Sequence, residues 1–253
     1  METVSFLTTA QIVEVISAFH DALEAHKESI NRLNVYPVPD GDTGTNMFLT
    51  VASVLEEMQP ADPNDREAVC EAMSHGSLMG ARGNSGVILS QVLRGMSSGF
   101  AKANVIDAEV LASALTEASV AADGAVMKPV EGTILTVVRE VARAARGAVE
   151  TDALVQTVEV ALQEGEAALE RTPEQLNVLK EAGVVDAGGA GFLLLLHAIL
   201  RVLDGRELPE PENSQGGSVI AADLSREVGV SELRYEVMYL LNAPDEEIDG
   251  FKN

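Results

Sequence analysis

Two aspartates separated by a single glycine stand in the segment Pro39-Asp40-Gly41-Asp42-Thr43-Gly44-Thr45-Asn46, immediately before a run of helical periodicity. Carboxylates this close repel each other, and a hard divalent cation relieves the repulsion. Magnesium is usually held by one or two protein carboxylates together with water and substrate phosphates, a requirement that Asp40 and Asp42 meet. A helix starting just beyond them presents unpaired backbone N–H groups and the positive end of its dipole, and both suit a phosphate. Taken alone, the segment reads equally as a turn with an N-cap, where Asp, Gly and Thr are common. A calcium loop of the EF-hand type is excluded, because Gly44 stands at the third acidic ligand, Thr45 at the turn glycine and Val51 at the bidentate Glu.

Three further segments have the same design, polar or Gly-rich and followed by a helical pattern. Gly80-Ala81-Arg82-Gly83-Asn84-Ser85-Gly86 could cradle phosphates against its backbone, or simply pack two helices tightly behind a glycine C-cap. It is not a Walker A sequence, since no Gly-Lys-Ser/Thr follows, nor a dinucleotide fingerprint, since no strand precedes it. Asp123 to Thr133 contains Met127, which could cover an adenine face or fill a gap in the packing, beside Lys128 and the candidate N-cap Thr133. Gly183 to Gly191 could admit a base or ribose against bare backbone at Gly188 and Gly189, with a capped, close-packed helix start at Asp186 as the alternative. Arg82 and Lys128 are candidate charge stabilisers, with solvated surface positions as the alternative for each. His20, His26 and His197 fall in helical patterns, His75 has no recognisable partner, and no Ser-His-Asp or Cys-His arrangement is evident.

The elements that must hold these segments are helices. Ile12, Ile16, Phe19, Leu23 and Ile30 recur at spacings of three, four and seven, one buried stripe on a helix from Thr9 to Leu33. The same signal places helices near 45–59, 64–80, 85–102, 107–122, 133–147, 152–170 and 187–204, about eight in all. Connections after the second, fourth and sixth helices are plain, whereas those after the first, third, fifth and seventh are the four segments above. Short connections favour antiparallel neighbours, so all four special segments are expected at one end of the bundle. Composition agrees with this all-α reading: 46% of the 253 residues are hydrophobic but only 4% aromatic, with no Trp.

A formal net charge of -23 argues against nucleic acid or an anionic membrane as partner, and implies that any phosphate site needs a metal. The single cysteine, Cys70, allows no intrachain disulfide or thiolate cluster and reads as a small buried apolar residue of a cytoplasmic protein. Met1 to Phe6 lacks a signal-peptide start, and the apolar stretch from Phe192 to Leu200 is broken by His197, so no membrane insertion is expected. After Gly205 the character changes. Residues 1–205 read as the helical domain, 206–231 as a linker rich in Pro, Glu, Ser and Gly, and 232–253 as the start of a second domain, with strand character from Arg234 to Leu241.

The segment Asn34-Val35-Tyr36-Pro37-Val38-Pro39-Asp40-Gly41-Asp42-Thr43-Gly44-Thr45-Asn46-Met47 resembles the signature of the DhaL-domain family, named for the nucleotide-binding subunit of dihydroxyacetone kinase. Within that family it is most similar to the N-terminal domain of the ATP-binding subunit of bacterial fatty acid kinase. Ala81 to Gln91, Lys128-Pro129-Val130-Glu131-Gly132-Thr133 and Val185-Asp186-Ala187-Gly188-Gly189 match its other motifs in order, over roughly Thr9 to Leu203. The resemblance implies an eight-helix up-and-down barrel with Mg-ATP at one rim. It implies Asp40 and Asp42 as magnesium ligands, with Asn34 near the position of a third family carboxylate. Thr43, Gly44, Thr45, Asn46, Asn84, Ser85, Gly86, Met127, Thr133, Asp186, Gly188 and Gly189 would surround the nucleotide. It further implies phosphoryl transfer to a fatty-acid carboxylate presented by a DegV-type acyl-binding protein, further domains beyond Tyr235 to Leu241, and a homodimer formed through them. A nucleotide sensor without turnover and a dihydroxyacetone-type small-molecule kinase are the alternatives.

Overall fold

The stripe Ile12, Ile16, Phe19, Leu23 and Ile30 is buried along α1 (Thr9–Leu33), which starts at a Thr8–Gln11 capping box. The computed structural model describes residues 5–149 and 153–211, all within one unit of the chain, Met1–Gly217. After α1 come α2 (Thr43–Met58), α3 (Arg66–Met79), α4 (Gly83–Ala101), α5 (Ala108–Gly124), α6 (Ile134–Ala148) and α7 (Leu154–Glu170). Two short helices, α8 (Thr172–Gln175) and α9 (Asn177–Ala182), lead into the last, α10 (Ala187–Asp204). Each long helix packs on the next, α7 packs on α10, and α10 closes the ring against α1. The result is the expected up-and-down arrangement of eight long helices around a core that includes Phe19, Leu23, Met47, Leu89, Leu93, Leu115 and Phe192.

Helix α10 is apolar on nearly every side because it touches α1, α2, α6 and α7 at once. It is long and apolar enough to cross a membrane, but most of it is buried inside the bundle. Where α4 meets α5 the packing is close, with Gly95 and Gly99 set against Ala118 and Ala114. Cys70 is buried on α3, and that burial pushes its thiol up to about 11, as befits an inert apolar filler.

The structure departs from the sequence reading in two places. The connection after α7 is not a bare loop: Pro173 sits in the first turn of α8, and Gly183 ends α9 in the left-handed conformation. Helices of 4 and 6 residues are too short to establish a periodic stripe. The second difference is at helix starts. Thr43 and Gly44 already belong to α2, and Gly83 and Asn84 to α4, so these motif residues form first turns. The expected strand in 232–253, and the linker beyond residue 211, lie outside the described residues. Residues 206–211 lie on the bundle, where Arg206 pairs with Asp204 and Glu159, and His26 Nε2 donates to Pro209 O at 2.9 Å.

Candidate functional site

Helices that run up and down place the starts of α2, α4, α6 and α10 at one rim, and side-chain contacts knit those starts together. Asn31, in the last turns of α1, donates to Thr45 Oγ1 at 3.0 Å and accepts from the Thr45 amide at 3.1 Å, fixing how α2 leaves the Asp40–Asp42 loop. Thr50 Oγ1 accepts the Arg82 amide at 3.2 Å, which draws the start of α4 against α2. Gly83 adopts φ +57 and lies against the Asn46 side chain, whose amide a Cβ would have to displace. Gly191 of α10 faces Met47 of α2, and Gly188 of α10 faces Ile134 of α6. The four special segments therefore share one end of the bundle, as their alternation predicts.

The metal-loop residues are close together. Asn34, 7% exposed, donates from Nδ2 to Asp40 Oδ1 at 2.6 Å, and the Asp40 and Asp42 carboxyls lie within hydrogen-bonding reach of each other. Asp40 is exposed as a residue, but its carboxyl is partly buried. That partial burial, followed by the hydrogen bond and charge of Asp42, raises its pKa above the ordinary 3.8. Among the described residues neither carboxylate is paired with a Lys or Arg, and no three His, Cys, Asp or Glu groups form a cluster. Two unneutralised carboxylates beside an amide fit a cation whose remaining ligands come from water and phosphate, as magnesium's do.

Side-chain capping separates α2, α4 and α6 from most of the other long helices, although α7 at the far rim also lacks a cap bond. At the far rim α1, α3 and α5 are capped by their own Thr8, Asp65 and Asp107 side chains. At the motif rim α2, α4 and α6 have no side-chain cap bond from their N-cap residues Asp42, Arg82 and Thr133. Among the described residues no acceptor is found for the amides of Thr43, Gly44, Asn84 and Ser85. The starts of α2 and α4 are thus free to receive an anion next to Asp40 and Asp42.

The other half of the rim is satisfied from within. Asp186 is 6% exposed and caps α10, its Oδ2 accepting the Gly189 amide at 2.7 Å, while the amides of Gly188 and of Ile134 in α6 face the same carboxyl. Burial outweighs these amides and moves its pKa from 3.8 to about 6. A carboxyl shifted that far corresponds to roughly 3 kcal/mol between its two protonation states. The stability contributed by neutral Asp186 is complete below about pH 3.8 and is lost as the pH rises through about 6. Urea unfolding of the protein and of Asp186→Asn should therefore show the parent losing about 2 kcal/mol relative to the variant between pH 4 and 7. A difference that stays flat would mean that the three amides hold the carboxylate ionised throughout.

The remaining motif residues surround these. Thr133 Oγ1 donates to Val130 O at 2.8 Å, while Met127 is 76% exposed and Lys128 and Arg82 are exposed. Glu131 accepts from Thr136 Oγ1 at 2.8 Å and from Arg139, and these two bonds hold its pKa below the usual carboxylate range. His75 does have a partner, Glu57, at 3.1 Å. Asn31, Thr50 and Thr172 position the site but carry no signal in the sequence, since each lies in a run whose tertiary partner is 14 or more residues away. A cleft of about 380 Å³ opens at the far rim between Phe6, Arg66 and Val105, and no motif residue lines it.

The sequence profile of the DAK2 domain matches residues 37–201, which takes in all four special segments and leaves Asn31 and Asn34 just outside. The chain belongs to the DAK2-domain family. This DhaL-type domain is 46% identical over 198 residues to protein YloV of Bacillus subtilis, covering 78% of this chain and 36% of that protein. It is 48% identical over 187 residues to an uncharacterized protein of Staphylococcus haemolyticus, covering 74% of this chain and 34% of the relative. The chain thus spans about a third of the length of these curated relatives. Among solved structures, the native form of the dihydroxyacetone kinase of C. freundii has the same fold at TM-score 0.56 and 18% identity, over 79% of this chain and 36% of that one.

Proposed function

We propose that this DAK2 domain binds Mg-ATP at the motif rim and serves as the nucleotide-binding part of a kinase that phosphorylates a fatty-acid carboxylate. The observation that carries the reading is the pair of uncapped helix starts, α2 and α4, flanking two unneutralised carboxylates on a chain of net charge -23. An anion approaches such a surface only with a cation between, and the loop offers a place for one. Bound magnesium would bridge phosphate oxygens and offset their charge. Asp40 and Asp42 would hold it, with Asn34 orienting Asp40, while the amides at Thr43, Gly44, Asn84 and Ser85 receive phosphate oxygens. The α6 and α10 starts, already neutralised by Asp186, then face the uncharged nucleoside beside Gly188, Gly189, Thr133 and Met127.

A carboxylate acceptor is ionised at neutral pH, so transfer needs positioning and charge neutralisation rather than a general base. Arg82, exposed at the start of α4, and Lys128, exposed before α6, are the cations proposed for that task. Val38, Leu49, Met79 and Met127 are exposed apolar side chains on the motif-bearing elements, a surface suited to a protein that presents a lipid acceptor. A DegV-type acyl-binding protein is the proposed partner. In the same reading residues 1–205 form the nucleotide domain of a cytoplasmic protein, 206–231 a linker, and 232–253 the opening of a second domain through which the chain dimerises.

A thermal-shift measurement tests the metal-bridged site directly. At a hundredfold excess over Kd, Mg-ATP should stabilise by about 2.7 kcal/mol, raising Tm by roughly 5–10 °C. ATP in chelator should leave Tm unchanged, and equal shifts in both conditions would refute a metal bridge. With an acyl-loaded partner and Mg-ATP, formation of acyl phosphate supports the kinase, whereas binding without turnover in the full-length protein leaves a sensor.

A further inference from the structure

We infer that Asp186 is a positioning residue that locks the starts of α6 and α10 into one wall for the nucleoside, acting through those two helix starts rather than on the ligand. The inference rests on the Mg-ATP reading above and adds to it how the nucleoside half of the rim is built.

Helix caps normally serve one helix. Here a single buried carboxylate faces two: it accepts the Gly189 amide of α10 at 2.7 Å, while the amides of Gly188 and of Ile134 in α6 point toward it and Ile134 packs against Gly188 beside it. Hydrogen bonds of this kind tolerate only a few tenths of an ångström, so the shared cap sets the separation of the two starts. The backbone N–H of Asp186 is itself fixed, donating to Thr172 Oγ1 at 3.1 Å, and Thr172 is fully buried. Gly132, one residue before the α6 N-cap, adopts φ +81 and packs over Thr172 O and Leu176, where a Cβ would not fit. The contacts close a circuit running from α6 through Asp186 to α10, then through Thr172 back to the Gly132 turn. The phosphate side is built differently: among the described residues α2 and α4 are held by Asn31 and Thr50 and keep their first amides free. The two halves meet at Gly191 and Met47, where the contact is between a glycine and an apolar side chain.

Because the halves are held by different residues, loosening one need not loosen the other. The test compares Mg-ATP with Mg-tripolyphosphate, which carries the phosphates without the nucleoside, by calorimetry on the protein and on Asp186→Asn. The variant should bind Mg-ATP at least tenfold more weakly and Mg-tripolyphosphate within twofold of the parent. Thr172→Val removes the hydroxyl that fixes the Asp186 backbone and should weaken Mg-ATP about threefold with tripolyphosphate unaffected, so it decides the matter if Asp186→Asn does not fold. Equal losses for both ligands, or none for Mg-ATP, would overturn the positioning role while leaving the nucleotide reading intact. A parent protein that binds tripolyphosphate but not ATP, or neither, would overturn that reading and this inference together.

Discussion

Replacing both Asp40 and Asp42 by Asn should lower the affinity for ATP in magnesium at least a hundredfold, or about 2.8 kcal/mol, while leaving the helical content unchanged. The expected loss is large because, among the described residues, neither carboxylate is paired with a Lys or Arg that could take the cation's place. Their removal takes away the cation and with it the bridge to the phosphates. The sign of a control follows from the same electrostatics. In chelator the parent's carboxylates repel the triphosphate, so the double variant should bind metal-free ATP no worse than the parent and slightly better at low salt. Folding should not suffer: Asp40 already carries a raised pKa, and Asp42 makes no side-chain cap bond. Titration calorimetry of the two proteins with and without magnesium reads all four affinities. Magnesium-dependent binding that survives in the double variant would place the metal elsewhere.

The second large effect is expected from a single methyl group. Gly44 lies in the first turn of α2 directly against the backbone carbonyl of Lys27 in α1, and the Cβ of an alanine there would overlap that oxygen. Gly95 is equally tight, with an added Cβ 2.5 Å from the Ala118 α-carbon, but it lies deep along α4, about 18 Å from the helix start by helical rise. In both cases alanine gains up to about 1 kcal/mol of helix propensity. The overlap is with backbone, which cannot rotate away, so a packing cost of about 1–3 kcal/mol should outweigh it. Gly95→Ala should therefore lower Tm by several degrees and leave Mg-ATP binding unchanged. Gly44→Ala should lower Tm comparably and also weaken Mg-ATP by more than tenfold, since it shifts the amides and the loop that hold metal and phosphate. Equal nucleotide affinities in the two variants would show that the placement of the α2 start does not matter.

Helices that bury a single stripe are legible in the pattern of apolar residues alone. For α1 the buried stripe and both ends agree with its periodicity. Helices α8 and α9 are not legible in this way, because their 4 and 6 residues complete barely one turn each and their role is to seat Thr172 under Asp186. The first residues of α2 and α4 read as loop for a related reason: Gly, Thr, Asn and Ser have weak helical preference, and their helical state here is imposed by Asn31 and Thr50 from neighbouring helices.

By itself the sequence determined the all-helical class, the alternation that gathers four polar segments at one rim, and the adjacent pair Asp40 and Asp42, since each depends on residue type and spacing along one chain. Only the tertiary structure decided which helix starts stay open and which are closed. Asp186 could equally have capped one helix or met a ligand until α6 was brought alongside α10, and Asn31 acquires a role only because α1 ends where α2 begins. The physical reason is that a hydrogen bond needs its partner within about 3 Å. Periodicity specifies which face of a helix is buried, but not which donor from a distant segment will arrive at its end.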